Sequence, residues 1–294
     1  MISERPADYL LIDGVLRPEA PVWLQGYHEP LEAVPLYAGT RWAELSDLGP
    51  ILVRAPAHSM LHQDASTADN GGANSVSLLY STQPMTVVAE HLRHFIAPPD
   101  TLGGTGLLRF ADPLVAHFWL GSYPAVHLDE VLGPLDAWQV PEPHHAWEVC
   151  DATCWHTFVR STAPPTWLDK HALLSHAQLE ALGNAGRWRF IERLYAQLAQ
   201  YFAPSLAARD QRTLAQWFEA RLDDGEAWGL TTERSLVIWL KYSLRWGDDF
   251  TEHPGSPYRR WLALSPEAFR LSADQRLRGL DDHCLAIELD KDAT

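Results

Sequence analysis

The sequence predicts an α+β protein: an N-terminal mixed α/β lobe with a central sheet, followed by an all-helical C-terminal lobe. Three observations point there. Short apolar runs closed by turn residues recur through the first half, as buried strands do. A stretch of proline and small polar residues at Ser161–Thr166 reads as a linker. Beyond it, apolar residues repeat with the helical period almost without interruption. The division is expected at residue 162, giving lobes of residues 1–162 and 163–294.

Tyr9-Leu10-Leu11-Ile12-Asp13-Gly14 is the first strand, closed by a turn signal, and Gly49-Pro50-Ile51-Leu52-Val53 the second. A short helix is expected at Thr40–Leu48. Ser75–Tyr80 is a third strand. Thr86–Ile96 is a helix with Val87, Val88, His91, Leu92 and Phe95 on one side. Gly103-Gly104-Thr105-Gly106 reads as a hairpin turn leading into a fourth strand, Gly106–Phe110. Asp112-Pro113 is an N-cap followed by proline at the first helical position, starting a helix through Trp119. Trp147–Val159 supplies one or two further strands.

In the second half, Ser175-His176-Ala177-Gln178 is a capping box. Ile191, Leu194, Tyr195, Leu198 and Phe202 form a helical stripe that Pro204 is expected to end. Leu214, Trp217, Phe218 and Leu222 form the next. Thr231 is read as the N-cap of a helix whose buried stripe is Leu236, Val237, Leu240 and Leu244, with Gly247 at its end. Trp239, Tyr242 and Trp246 make a second ridge on this helix, beyond what one core stripe needs. A short helix near Tyr258–Leu264, another from Ser265-Pro266 and a last one capped by Ser272-Ala273-Asp274-Gln275 complete the lobe. The acidic tail from Asp281 to Thr294 is expected to fray.

Net charge is −15, from 38 acidic and 23 basic residues. A chain this acidic, without a basic cluster, repels phosphate backbones, which argues against nucleic acid and anionic membrane surfaces. No apolar run is long enough to span a bilayer, and the N-terminus lacks a signal-peptide pattern. Three cysteines in a chain of this length do not make a disulfide framework. The cytoplasm is the expected compartment. The 13 tryptophans belong mostly to cores, and the surplus raises the prospect of a protein-binding surface.

Candidate sites are few. His144, His145, Cys150, Cys154 and His156 crowd zinc-type ligands into one segment, but the cysteine spacing is not C-x₂-C and the interleaved apolar residues suggest strands. His58 with His62, and His91 with His94, are weaker pairs. The glycine cluster at 103–106 is not followed by the Lys-Ser/Thr and helix of a phosphate loop. No nucleophile elbow is present, and the paired carboxylates 223–224, 248–249 and 281–282 read as solvated loop residues. The sequence therefore gives no support to catalysis, a metal or a cofactor. Asp112 reads first as a helix cap, and second as a partner contact at a strand end. Trp239, Tyr242 and Trp246 divide between inter-helix packing and partner recognition.

Leu108-Arg109-Phe110-Ala111-Asp112-Pro113 resembles the "LRFyDPRv" signature of the domain-of-unknown-function 4123 proteins. Pro35-Leu36-Tyr37-Ala38-Gly39-Thr40 with Leu48-Gly49-Pro50-Ile51-Leu52-Val53 is similar to the family's "PLf-GT … GPyLv" pair. Glu90-His91-Leu92-Arg93 matches its "HLR" helix, and Gly229–Phe250 its "yGLtsErdv…lG-dFd" segment. Ala111 stands where the family usually has an aromatic residue, and Leu114 where it usually has arginine.

The resemblance implies an adaptor chaperone of a bacterial type VI secretion system. Such a protein binds a secreted effector in the cytoplasm, keeps it soluble and helps load it on the VgrG spike, sometimes through a PAAR tip. It is not itself an enzyme. Phe110, Asp112, Trp239, Tyr242 and Trp246 are the expected partner-binding residues, on a groove flanked by the two lobes. Two other classes stay open: an immunity protein neutralising a toxin, and a metal-dependent enzyme built on the His144–His156 cluster.

Overall fold

A computed structural model describes residues 5–66, 73–148, 154–163 and 167–292. It contains β1 (Tyr9–Ile12), α1 (Ala20–Gln25), β2 (Glu32–Pro35), β3 (Ile51–Arg54), α2 (Met60–Ser66) and β4 (Val76–Tyr80). These are followed by α3 (Met85–Arg93), α4 (Pro113–Gly121), α5 (Ala125–Leu132), β5 (Ala137–Pro141) and β6 (Trp155–Val159). The helical region comprises α6 (His176–Ala207), α7 (Gln211–Ala227), α8 (Glu233–Trp246), α9 (Pro257–Leu264) and α10 (Ala273–Asp292). The α+β class stands.

The six strands form one antiparallel sheet in the order β2-β3-β1-β4-β5-β6. Its central strand β1 is buried along its whole length because both faces are covered. Tyr9 and Leu11 point into a core shared with α3, α4 and α5. Leu10 and Ile12 point into the opposite core, with Leu24 of α1 and Leu61 of α2. Strict alternation of one apolar run between two cores is what a sheet between two helical layers requires.

Several expectations need correction. Thr40–Leu48 yields only a 3₁₀ turn at Ala43–Leu48. The glycine cluster is not a hairpin: Asp100 closes a turn by accepting the amides of Leu102 and Gly104 at 2.8 and 2.7 Å. Gly106–Phe110 joins no sheet. Leu108 and Phe110 are both buried, so the two-residue alternation is real, but the Leu108 amide bonds to the Ile96 carbonyl rather than to a ladder. Strands β2 and β5 were not foreseen. The start of the expected linker is pinned, since Asp129 of α5 accepts the Ser161 and Thr162 amides at 2.7 and 3.0 Å.

The helical stripe breaks just before Pro204, as expected, and further helical turns follow the break. α6 continues to Ala207 across a kink at Phe202 (φ −127°, ψ 25°), as expected where proline removes a helical hydrogen bond and its ring crowds the preceding turn. The cap of α8 is Thr232, which accepts the Ser235 amide, rather than Thr231. Helix α10 carries the acidic tail as far as Asp292.

The chain divides into two compact units, Met1–His144 with Val149–Arg187, and His145–Glu148 with Trp188–Thr294. The first unit runs past residue 162 into the start of α6, because Leu179 and Leu182 pack on the core beneath α3–α5. The second unit has its own core, centred on Leu194, Phe218, Leu222, Leu240 and Leu277.

Candidate functional site

In the first unit, the Leu108–Pro113 motif is a structural clamp. Leu108 and Phe110 enter the core, where the Phe110 ring meets Phe95 and Trp138 edge-on at 6.2 and 6.4 Å. Between them, Arg109 reaches Asp13 at 2.8 Å and Asp112 at 3.1 Å. Asp13, at the end of β1, also accepts the Val15 and Leu16 amides. Asp112 caps α4 by accepting the amides of Leu114 and Val115. One guanidinium therefore ties the turn after β1 to the start of α4. Phe110 and Asp112 are each wholly buried, so the structure assigns them packing and capping, not a surface for a partner.

The His91-Leu92-Arg93 helix is a second clamp. Buried His91 bonds through Nε2 to the Val131 carbonyl at 2.8 Å, and burial pushes its pKa down to about 4. It is therefore neutral, donating that hydrogen. Arg93 donates to the Leu36 carbonyl at 3.1 Å, anchoring the Pro35–Thr40 motif. Beside His91, exposed His94 stacks on Trp167 at 4.6 Å. They line an open groove of about 660 Å³ whose acidic groups Glu90, Glu130 and Asp136 outnumber its one arginine, Arg160.

The described members of the zinc-type cluster do not come together. His145 lies in the second unit, sandwiched between Trp147 and Trp188 at 4.3 and 4.8 Å, with Nδ1 2.6 Å from Glu192. His156 of β6 lies in the first unit, its ring against His117 and Phe158. His144 and Cys154 are exposed, and Cys150 is outside the described residues. Among the described residues, no group of three His, Cys, Asp or Glu side chains could hold a metal. His62 is likewise structural, bonded to Ser59 and to the Ala7 carbonyl.

In the second unit, the aromatic ridge of α8 turns inward. Trp239 is 3% exposed and packs on Trp228 and Phe250. Tyr242 is fully buried, stacked on half-buried Trp246 at 4.1 Å. Its hydroxyl donates to Asp281 at 2.8 Å; burial, then that carboxylate, push its pKa upward. The surplus aromatics serve a second packing surface, because α8 is enclosed by neighbours on more than one side. The exposed-anchor reading of Trp239 and Tyr242 is thereby overturned, and that of Trp246 reduced to its partly exposed edge.

What α8 does leave outward is different. Arg234, Val237, Lys241 and Arg245 follow one another at three- and four-residue spacing, which is one stripe of a helix. This stripe lines a groove of about 740 Å³. The opposite wall is Leu198, Tyr201 and Phe202 of α6, at the proline kink, and Asp281 and Leu285 of α10 complete the lining. Tyr201 is 77% exposed and Leu285 42%, so apolar surface is open to solvent here. Lys241 donates to Asp281 at 2.7 Å, and among the described residues the lining carries three cations against one carboxylate. Sequence reading placed Val237 on the buried leucine stripe and missed this groove; Arg234, Lys241 and Arg245, at seven- and four-residue spacing beside the leucines, were the available signal.

Residues 9–130 match the family described as Domain of unknown function (DUF4123). The match covers β1 through most of α5, including the Leu108–Pro113 clamp and the His91–Arg93 helix but not Val131, to which His91 bonds. No curated protein and no solved structure matches the chain. No helix among the described residues is long and apolar enough to cross a membrane.

Proposed function

We propose that the protein is a non-catalytic adaptor chaperone that holds a type VI secretion effector in the bacterial cytoplasm and helps mount it on the VgrG spike. The observation that carries this reading is the family match over residues 9–130, which contains the Leu108–Pro113 and His91–Arg93 motifs. The geometry supports it in a specific way. Those motif residues are spent on holding the first unit together, and the zinc-type side chains are dispersed or stacked between tryptophans. Neither arrangement resembles a reaction centre, which needs convergent acid, base or nucleophile groups.

Co-expression of the tagged protein with the toxin encoded beside it, and with VgrG, tests the proposal. The expected result is retention of both and a higher soluble yield of the toxin. Failure to retain either, with unchanged toxin solubility, overturns it. Inhibition of the toxin's activity without VgrG retention would instead support an immunity protein.

A further inference from the structure

We infer that the groove between α6, α8 and α10 binds an amphipathic helix with acidic borders, presented by the cargo protein. The inference deepens the adaptor reading and rests on it only for the identity of the partner. Its physical basis is independent. The floor is apolar, from Leu198, Phe202, Val237 and Ile238, and Tyr201 and Leu285 leave further apolar surface in water. An exposed apolar trough of this kind gains from burial against a complementary surface.

The charge on its border selects the occupant. The chain carries −15 overall, yet among the described residues this groove is lined by Arg234, Lys241 and Arg245, with Asp281 as the one carboxylate. Asp281 is already engaged by Lys241 and by the Tyr242 hydroxyl, at 2.7 and 2.8 Å. Arg234 and Arg245 are exposed and stand eleven residues apart on one face, three helical turns along the trough. A ligand helix with a leucine-type stripe meets the floor, and carboxylates on its flank meet the two arginines. That is recognition by a helix laid in a groove, with charge setting specificity and encounter.

The test uses the full chain and two fluorescent synthetic peptides. One carries leucines on one helical face bordered by glutamates; the other replaces every glutamate with lysine. Fluorescence anisotropy should show the glutamate peptide binding at least about tenfold tighter, with affinity falling as salt rises. Arg234→Glu with Arg245→Glu should reverse the preference, and its unchanged melting temperature would establish that the fold is intact. Should that variant melt early, Arg234→Gln with Arg245→Gln, which removes charge without adding any, provides the same comparison. Equal binding of the two peptides, or indifference to the substitutions, overturns the proposal. Self-association of the wild type that the charge reversal abolishes overturns it in favour of a second copy. In the co-expression assay, a charge-reversed protein that retains the effector removes the groove and leaves the adaptor standing. A wild type that retains no effector removes the adaptor, while the peptide titration still decides the groove.

Discussion

Arg109 and Asp13 stand 96 residues apart in the chain and meet at 2.8 Å, with Asp112 3.1 Å from the same guanidinium nitrogen. Both carboxylates are buried, at 4% and 0% exposure. Replacing the arginine leaves two carboxylates without their counter-ion in a site that water reaches poorly. Arg109→Ala is expected to cost about 3 kcal/mol, discounted from larger values because the arginine is partly exposed. Urea denaturation measures it; a loss under about 1 kcal/mol would mean the clamp is not holding the unit together.

His91 predicts a pH dependence. Its pKa is about 4 in the fold, against about 6.5 in the unfolded chain. Above pH 6.5 both states are neutral and the hydrogen bond to Val131 contributes fully. As pH falls from 6.5 to 4, the unfolded chain takes up a proton that the folded one refuses, so stability declines by about 3 kcal/mol. His91→Gln should flatten this part of the stability profile. A profile unchanged by the substitution would place the loss elsewhere.

Gly133 lies against the same ring. Its φ of +52° with ψ of −113° is strained for an L side chain, and a Cβ there would collide with the His91 imidazole. Gly133→Ala should destabilise by about 2 kcal/mol and lower the melting temperature.

Asp274 joins the start of α10 to the start of α8. It accepts from the Thr231 and Thr232 hydroxyls at 2.8 and 2.9 Å. Burial acts to raise its pKa, but hydrogen bonds from Ser235, Thr231 and Thr232 outweigh it and hold the group well below the usual carboxylate range. A depressed carboxylate contributes stability above about pH 4 that is lost as pH falls toward its folded value. Asp274→Asn should weaken the protein at neutral pH and remove this acid-sensitive portion. Equal acid midpoints for variant and wild type would count against it.

Trp239→Ala separates packing from recognition on α8. With Trp239 in contact with Trp228 and Phe250, the cost should be about 3–5 kcal/mol, seen as a large fall in melting temperature. A variant that kept its stability and lost only cargo binding would restore the anchor role.

Local signals were the legible part of this sequence. Asp112 and Ser272 accept amides two and three residues ahead, and the Gln178 side chain accepts the Ser175 amide, so residue type and spacing suffice to place these caps. Strand β5 was hidden because Gln139 sits at its centre and Pro141 at its end. Only the fold supplies Tyr80 and Thr157 to satisfy that glutamine. Strand β2 lies at the sheet edge, where its proline is tolerated and burial leaves a weak pattern. The ridge on α8 misled for a related reason: spacing tells which residues share a face, not how many neighbours cover it. The groove draws on three helices and had no contiguous signature beyond the basic stripe.

The family match ends at residue 130, before β5 and β6 begin. Those strands nevertheless finish the sheet, pairing Leu78 with Gln139 and Leu79 with Trp138. A fragment cut at the end of the match would leave β4 as a raw border, with Leu78, Leu79 and Tyr80 offering an unsatisfied row of amides and carbonyls. Phe110 and Trp119 would also lose the Trp138 ring that seals them. Such a border templates strand addition from any neighbouring chain. The stretch that matches the family is thus a sequence unit but not a folding unit, and its solubility is borrowed from residues the family pattern does not include.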